Sequence, residues 1–397
     1  MTAEIAILNK SGIVLASDSA STIGNNKVYN SAKKLFTLNP IHSIGIMIYG
    51  SAEFMETPWE IIIGQYRKSV EDNVLKTLKD YELSFFNFLR EQNYLQTENL
   101  QDNYAINYIQ SVIQIVFKSI EKDVNAIMAQ GQNIDDSVLI SLLLDSINEM
   151  RSQFSSSYIV EIDKDIFEQK YKEIFSKTLY KISVYDEVSK KIEKELFEFV
   201  LYTIERDSSF TGSTGIVIAG YGSEDIFPSL MSYNLYSFIL GNLKYSNFRE
   251  AKISQAENEL RSTILPFAQD DVVNTVVQGV DPQLAQYLVD QSKYFDDNNQ
   301  LTYNDIINTL SKIQREYYIN PMLDMIALLP VDETAVIAET LMNLTSFKRK
   351  YSNSIETVGG PIDVLAITPS EGPIWIKRKH YFNLADNLGY KMRRNNK

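Results

Sequence analysis

Cysteine is absent from the 397 residues, which removes disulfides, thiol nucleophiles and Cys-ligated metal sites from consideration. Histidine is almost as scarce. His42 and His380 are the only two, too few and too isolated for a His-rich zinc site, and no nucleophile elbow accompanies either, so a Ser-His-Asp triad is not expected. No apolar run reaches the roughly 18 residues of a membrane-spanning helix. No cationic segment followed by an apolar run opens the chain, so a secretory signal is not expected and the cytoplasm is the default compartment. Positive charge is in deficit: 38 Lys and Arg against 51 Asp and Glu give a formal net charge of −13. That balance argues against general nucleic-acid binding, because phosphate contacts need a basic face. The basic tail Lys391-Met392-Arg393-Arg394 reads as a solvated terminus. No P-loop or dinucleotide fingerprint is present. Asp296-Asp297-Asn298-Asn299 hints at a calcium loop, but it lacks the required Gly and has Ile307 where the terminal Glu belongs, so it reads as a polar turn.

What remains is the composition of an ordinary globular protein, 44% hydrophobic and 22% charged, long enough to bury a sizeable core. The first 50 or so residues read as β-structure. Ile5 and Ile7, then Ile13, Val14 and Leu15, flank Asn9-Lys10-Ser11-Gly12, a hairpin turn. Lys34–Leu38 is a third strand, stopped by Asn39-Pro40, and Ile44–Tyr49 a fourth, apolar enough for a buried sheet. From Pro58 to about Asp207 the pattern becomes helical. Val70, Val74, Leu78, Tyr81, Phe85 and Phe88 form one apolar stripe at spacings of three and four, and Val138–Met150 and Ile192–Leu201 look similar. A strand returns at Ile216–Gly222. A second helical stretch follows, with Asp281-Pro282 as N-cap and first-turn pair and Asp332 capping a helix through about Phe347. Ile362–Ile367 and Pro373–Lys377 are the last strands. Strands at both ends and in the middle, with helices between, predict an α+β or layered α/β/β/α architecture. Neither helical stretch is bounded by a Gly/Ser- or Pro-rich linker, so both read as elaborations of a single domain spanning 1–397.

Amide hydrolysis needs a nucleophile, a base for its proton and donors for the developing oxyanion. An N-terminal threonine supplies the first two, its hydroxyl attacking while its own α-amine, whose ordinary pKa is about 8, takes the proton. Nothing may then precede it. Thr2 stands where removal of Met1 would expose it, and threonine is small enough for ordinary methionine aminopeptidase processing. Asp18 follows Thr2 by 16 residues, and Lys34 follows Asp18 by 16. A lysine beside the nucleophile lowers the α-amine pKa and favours the alkoxide-like transition state; an aspartate holds that lysine and compensates its charge.

Thr, Asp and Lys at this spacing resemble proteasome β-subunits and the bacterial HslV peptidase. The neighbouring residues agree: Gly12–Ser19, then Gly24, Lys33-Lys34-Leu35 and Tyr49-Gly50-Ser51-Ala52-Glu53. So do Ile218-Ala219-Gly220-Tyr221-Gly222, which is similar to the family's central strand, and Gly359-Gly360-Pro361-Ile362-Asp363-Val364, similar to its penultimate Gly-Gly strand. The resemblance covers residues 2 to about 65, 213 to about 235 and 332 to about 378. It implies a four-layer αββα N-terminal-nucleophile (Ntn) hydrolase sandwich with two helical insertions, about 66–207 and about 236–331. It further implies a threonine peptidase or amidase with Thr2 as nucleophile and base, Lys34 as activator, Asp18 as its partner and Gly50 as backbone oxyanion donor, a place Tyr49 could also hold. The substrate would be a peptide or amide. No metal or organic cofactor is implied; ring-like homo-oligomerisation is, and an ATPase unfoldase partner follows by analogy only. The family's Gly-Ser-Gly stretch has no counterpart serine in Ile264–Gln269. Its serine before the late Gly-Gly, and the aspartate three residues earlier, are replaced by Val358 and Ile355, with Glu356 and Thr357 nearby. Two rival readings stand beside the peptidase: an Ntn amidase acting on a small molecule, and a non-catalytic assembly or binding protein that keeps the fold.

Overall fold

The computed structural model of the chain describes residues 3–23, 27–131, 133–154, 157–182, 186–207, 210–256, 259–291, 297–352, 358–383, 385–387 and 389. The first hairpin forms because Asn9 closes its own turn: its Oδ1 accepts from the backbone N–H groups of Ser11 at 2.8 Å and Gly12 at 3.2 Å, an Asx turn. It joins β1 (Ala3–Asn9) to β2 (Gly12–Ser17). Then come β3 (Ser21–Ile23), β4 (Lys27–Tyr29), β5 (Leu35–Thr37), β6 (Ile44–Gly50), β7 (Glu53–Phe54) and β8 (Thr57–Pro58). Seven helices follow: α1 (Trp59–Val70), α2 (Leu78–Glu91), α3 (Glu98–Ser119), α4 (Glu121–Ala129), α5 (Asp136–Gln153), α6 (Lys164–Ile182) and α7 (Asp186–Ile204). The chain returns to strand in β9 (Thr214–Gly220), β10 (Ser229–Ile239), β11 (Asn242–Lys252) and β12 (Ser262–Ala268). Next are α8 (Asp271–Gln278), α9 (Pro282–Gln291), α10 (Asp297–Gln314), α11 (Asn320–Ile326) and α12 (Val331–Lys350), before β13 (Asp363–Thr368) and β14 (Gly372–Lys377).

Two five-stranded sheets hold the structure together, ordered β12-β1-β2-β13-β14 and β11-β10-β9-β6-β5, all neighbours antiparallel. Alternation along the strands assigns each residue to a face. In the first sheet Ala3, Ile5, Ile7, Val14, Ala16 and Val364 pack against α12, while Ala6, Leu8, Ile13, Leu15 and Leu365 meet Met47, Val217 and Ala219 of the second sheet. The second sheet's other face, with Ile46, Ile48, Ile216 and Ile218, buries against Trp59, Ile62 and Tyr66 of α1 and Tyr81, Phe85 and Phe86 of α2. Burial on both faces explains why these strands read as continuous apolar runs. Helices α3, α5, α6 and α7 share a separate core that reaches the sheets through Ile239 at the end of β10.

The architecture is α+β with antiparallel sheets, and several local expectations change. The stripe from Val70 to Phe88 is two helices. Val70 ends α1, Val74 is exposed in the connection, and a capping box at Thr77 starts α2. The second helical stretch begins at Asp271, not near residue 236, because β10, β11 and β12 occupy residues 229–268. Pro330, not Asp332, is the N-cap of α12, and Asp332 lies in the first turn. Residues 297–299 open α10 instead of forming a polar turn; Asp296 lies outside the described residues. Asp281 does cap α9, its Oδ1 accepting from the N–H of Gln283 at 2.9 Å and of Leu284 at 3.4 Å.

Candidate active site

The two sheets are clasped by one ion pair. Asp18 follows the last residue of β2, and the hydrogen bond from its N–H to the Ala3 carbonyl, 3.2 Å, extends the β1–β2 ladder by one step. Lys34 immediately precedes β5 in the other sheet, its carbonyl accepting from the Ile48 N–H at 2.9 Å. The Lys34 Nζ reaches across to Asp18 Oδ1 at 2.5 Å, with Asp18 fully buried and Lys34 6% exposed.

Three backbone donors complete the aspartate. Ala3 N–H reaches Oδ1 at 3.3 Å, while Ala20 N–H at 3.2 Å and Gly359 N–H at 3.0 Å reach Oδ2. A buried carboxylate is tolerated when paired and hydrogen-bonded in this way. The same contacts draw three chain segments together. Gly359, from the connection into β13, also accepts from the Ser19 N–H at 3.1 Å, and the Ser19 hydroxyl donates to the Pro361 carbonyl. Ala3 is gripped from both sides of its backbone.

Of the sequence-predicted residues, Asp18 and Lys34 are therefore in contact. Thr2 and Met1 lie outside the described residues, as do Gly24 and Ile355–Thr357. Thr2 is the residue that precedes Ala3 in the chain. Gly50 ends β6, two residues beyond Ile48, the neighbour of Lys34. That step is about 7 Å along a strand, so Gly50 stands at the same end of the sheet as the ion pair. Its φ is +82° and a Cβ there would lie 2.6 Å from the Ser213 carbonyl oxygen, which reserves the position for glycine.

The segment Ile264–Gln269 belongs mostly to β12, with Ala268 opposite Ala3 in the register. It thus flanks the start of β1, and buried Gln269 follows directly. Val358 is buried against Ala3, Ile5 and the α12 residues. His42 is at the far end of β6, its Nδ1 2.6 Å from the Tyr81 hydroxyl and its Nε2 2.7 Å from the Glu71 carbonyl. That is a structural brace between the α1–α2 connection and the sheet. Among the described residues no group of three or more His, Asp or Glu could hold a metal ion, and no helix is long and apolar enough to cross a membrane.

Glu4 escaped the sequence reading, and Tyr49 entered it only through its backbone N–H. Glu4 is 1% exposed and neither carboxyl oxygen has a hydrogen-bond partner among the described residues. Burial pushes its acidity well above the usual carboxyl range, with Lys34 pulling it back and Asp18 pushing it further. Tyr49 has a buried hydroxyl without a partner among those residues, and its ring lies 5.6 Å from that of Phe267. Burial and then Glu4 raise the phenol, opposed by Arg249. A signal for Glu4 was present: it is the sole charge in Ala-Glu-Ile-Ala-Ile-Leu, a run apolar in both phases and so buried on either face.

No protein-family model matches the chain, and no curated protein matches its sequence. Solved structures give distant likenesses. Anbu (ancestral beta-subunit) from Yersinia bercovieri is 11% identical over 98% of this chain and 93% of that one, with a TM-score of 0.33. The helical assembly of the Anbu complex from Pseudomonas aeruginosa is 8% identical over 98% and 93%, TM-score 0.35. Anbu from Hyphomicrobium sp. strain MC1 is 9% identical over 99% and 96%, TM-score 0.31. At that distance the chemistry of the site rests on this chain's own geometry.

Proposed function

We propose that the chain is an Ntn hydrolase of the proteasome β type, with an αββα sandwich and helical insertions, that cleaves a peptide or amide bond through Thr2 after Met1 is removed. The observation that carries this reading is the buried Asp18–Lys34 pair, closed over the backbone of Ala3. The Thr2 hydroxyl attacks the carbonyl carbon and its α-amine takes the hydroxyl proton. The Lys34 ammonium keeps that amine deprotonated and stabilises the negative charge. Asp18 fixes the ammonium, and the N–H of Gly50, or of Tyr49, receives the oxyanion. The tetrahedral intermediate collapses as the α-ammonium returns its proton to the leaving amine. Water, deprotonated by the same α-amine, then hydrolyses the threonine ester. The succession of helix, sheet, sheet and helix supports the αββα assignment.

One observation favours the non-catalytic rival. Val358, where the resemblance expects a serine before the late Gly-Gly, is fully buried in an apolar cluster and offers no hydroxyl. Intact mass and labelling by a β-lactone separate the readings. A chain beginning at Thr2, modified there and unmodified in Thr2→Ala, supports the hydrolase. Retained Met1, or labelling that survives Thr2→Ala, overturns it. Homo-oligomerisation, into the ring that the resemblance implies, belongs to the same proposal. Phe347 and Tyr351, 64% and 70% exposed on α12 and its C-cap, are the kind of apolar surface that self-association covers.

A further inference from the structure

Glu4 is the buried titratable group that the mechanism above leaves idle. It points into the inter-sheet space, and its neighbours in the register are Ser17 on β2 and Phe267 on β12. The Ser17 hydroxyl, like that of Tyr49, is buried with no partner among the described residues. The groups facing Glu4 come from every adjoining element: Asp18 at the end of β2, Lys34 before β5, Tyr49 on β6, and Arg249 on β11, which acts on Tyr49. On the next strand Asp363, opposite Ser17 in the register, is already held by Lys379 at 2.5 Å. A carboxyl so placed calls for an explanation, because buried polar atoms in folded proteins nearly always have partners.

We propose that Glu4 is a positioning residue of the Asp18–Lys34 site, whose own proton sets the charge of the cluster and thereby decides whether the α-amine of residue 2 can act as base. The inference rests on the hydrolase reading for its consequence, and on the geometry alone for its charge state. Lys34 and Asp18 together are neutral, so the third group determines the sign. With Glu4 protonated, the cluster is neutral and the ammonium end of the pair holds down the proton affinity of the amine. With Glu4 ionised, the cluster carries one negative charge, the amine binds its proton more tightly, and less of it is free to act as base at a given pH. A neighbouring charge moves an amine by about one to two pKa units. Ionisation of Glu4, which burial delays beyond the ordinary carboxyl range, would therefore move upward the pH at which the amine becomes a free base, so that at a given pH attack through it is up to about tenfold slower than with a neutral residue at position 4. The proton leaves Glu4 to solvent and no bond to carbon changes.

The test uses the full chain and the isosteric, permanently neutral Glu4→Gln. Infrared spectra followed upward in pH should keep a protonated-carboxyl C=O band above the ordinary carboxyl range, a band that Glu4→Gln lacks. The N-terminal amine, titrated by the pH dependence of its acetylation and read by mass spectrometry, should have the lower pKa in Glu4→Gln. β-Lactone labelling at Thr2 should rise with pH in every variant, but at a lower pH in Glu4→Gln than in the wild type, with Glu4→Asp following the wild type. A missing band, or amine titrations that coincide in wild type and Glu4→Gln, overturns the assignment. An intact band and amine shift without labelling at Thr2 supports Glu4's role in setting the charge and overturns the hydrolase reading instead.

Discussion

Asp18 accepts from four donors, one of them an ammonium. Removing it strands Lys34 as a buried, unpaired charge and frees three backbone N–H groups. Asp18→Ala should therefore lose about 3–5 kcal/mol of stability, read as a lowered urea midpoint. A change below about 1 kcal/mol, the range of an exposed pair, would mean that the clasp is dispensable. Lys244 poses a different problem. Its Nζ is fully buried and without a hydrogen bond among the described residues, 4.8 Å from the ring of Tyr108 and 5.0 Å from that of Tyr236. Burial lowers its pKa to about 7, against a smaller upward pull from Asp207. Between pH 7 and about 10.4 the unfolded chain thus binds more protons than the folded one, so stability rises with pH across that window by up to about 1.4 kcal/mol per unit. Denaturation at pH 7 and pH 9 should show the gain, and Lys244→Met should flatten it. A slope that survives in Lys244→Met would assign it to other groups. Neither Glu4 nor Lys244 can be identified as orphaned from sequence, since partnerlessness depends on what the opposing segments supply.

Helix breaks and strand pairings were the least legible features. The stripe from Val70 to Phe88 keeps its period only by counting Val74, which is exposed between α1 and α2, and a period along the chain does not register a change of axis. The capping box is what separates them: Thr77 Oγ1 accepts from the Asp80 N–H at 3.2 Å, and Asp80 Oδ2 from the Thr77 N–H at 2.9 Å. Thr77→Ala should lower stability by about 1 kcal/mol, measurable by thermal unfolding, and leave labelling at Thr2 unchanged. The end of β6 is less forgiving. Gly50→Ala meets both a left-handed φ and the Ser213 carbonyl, so a loss of about 1–3 kcal/mol is expected. If Gly50 is the oxyanion donor, labelling should fall alongside; full-rate labelling in folded Gly50→Ala would shift that role to Tyr49.

On the scale of the whole molecule, the core is divided. Three clusters bind the two sheets to each other and to α1, α2 and α12, while α3 to α7 bury a core largely their own. A block with its own core opens as a unit. Hydrogen exchange should show amides of 98–204 opening together, at lower free energy than those of β1, β2 and β9. Phe199→Ala, at a fully buried position, should lower that block by about 3–5 kcal/mol and leave the sheets' protection in place. Uniform protection loss throughout the chain would show one cooperative unit instead.

The sequence by itself determined the residue types and intervals of the candidate site, the hairpin closed by Asn9, and the alternation of strands with helices, because these are matters of local period and local turn chemistry. It also held the anomaly at position 4, a charge in phase with core residues. Tertiary structure alone decided that Asp18 and Lys34 meet across two different sheets, that residues 229–268 pair as strands, and that Glu4 finds no partner among the described residues. These depend on contacts between segments far apart in the chain, and a one-dimensional period has no term for what lies on the facing sheet.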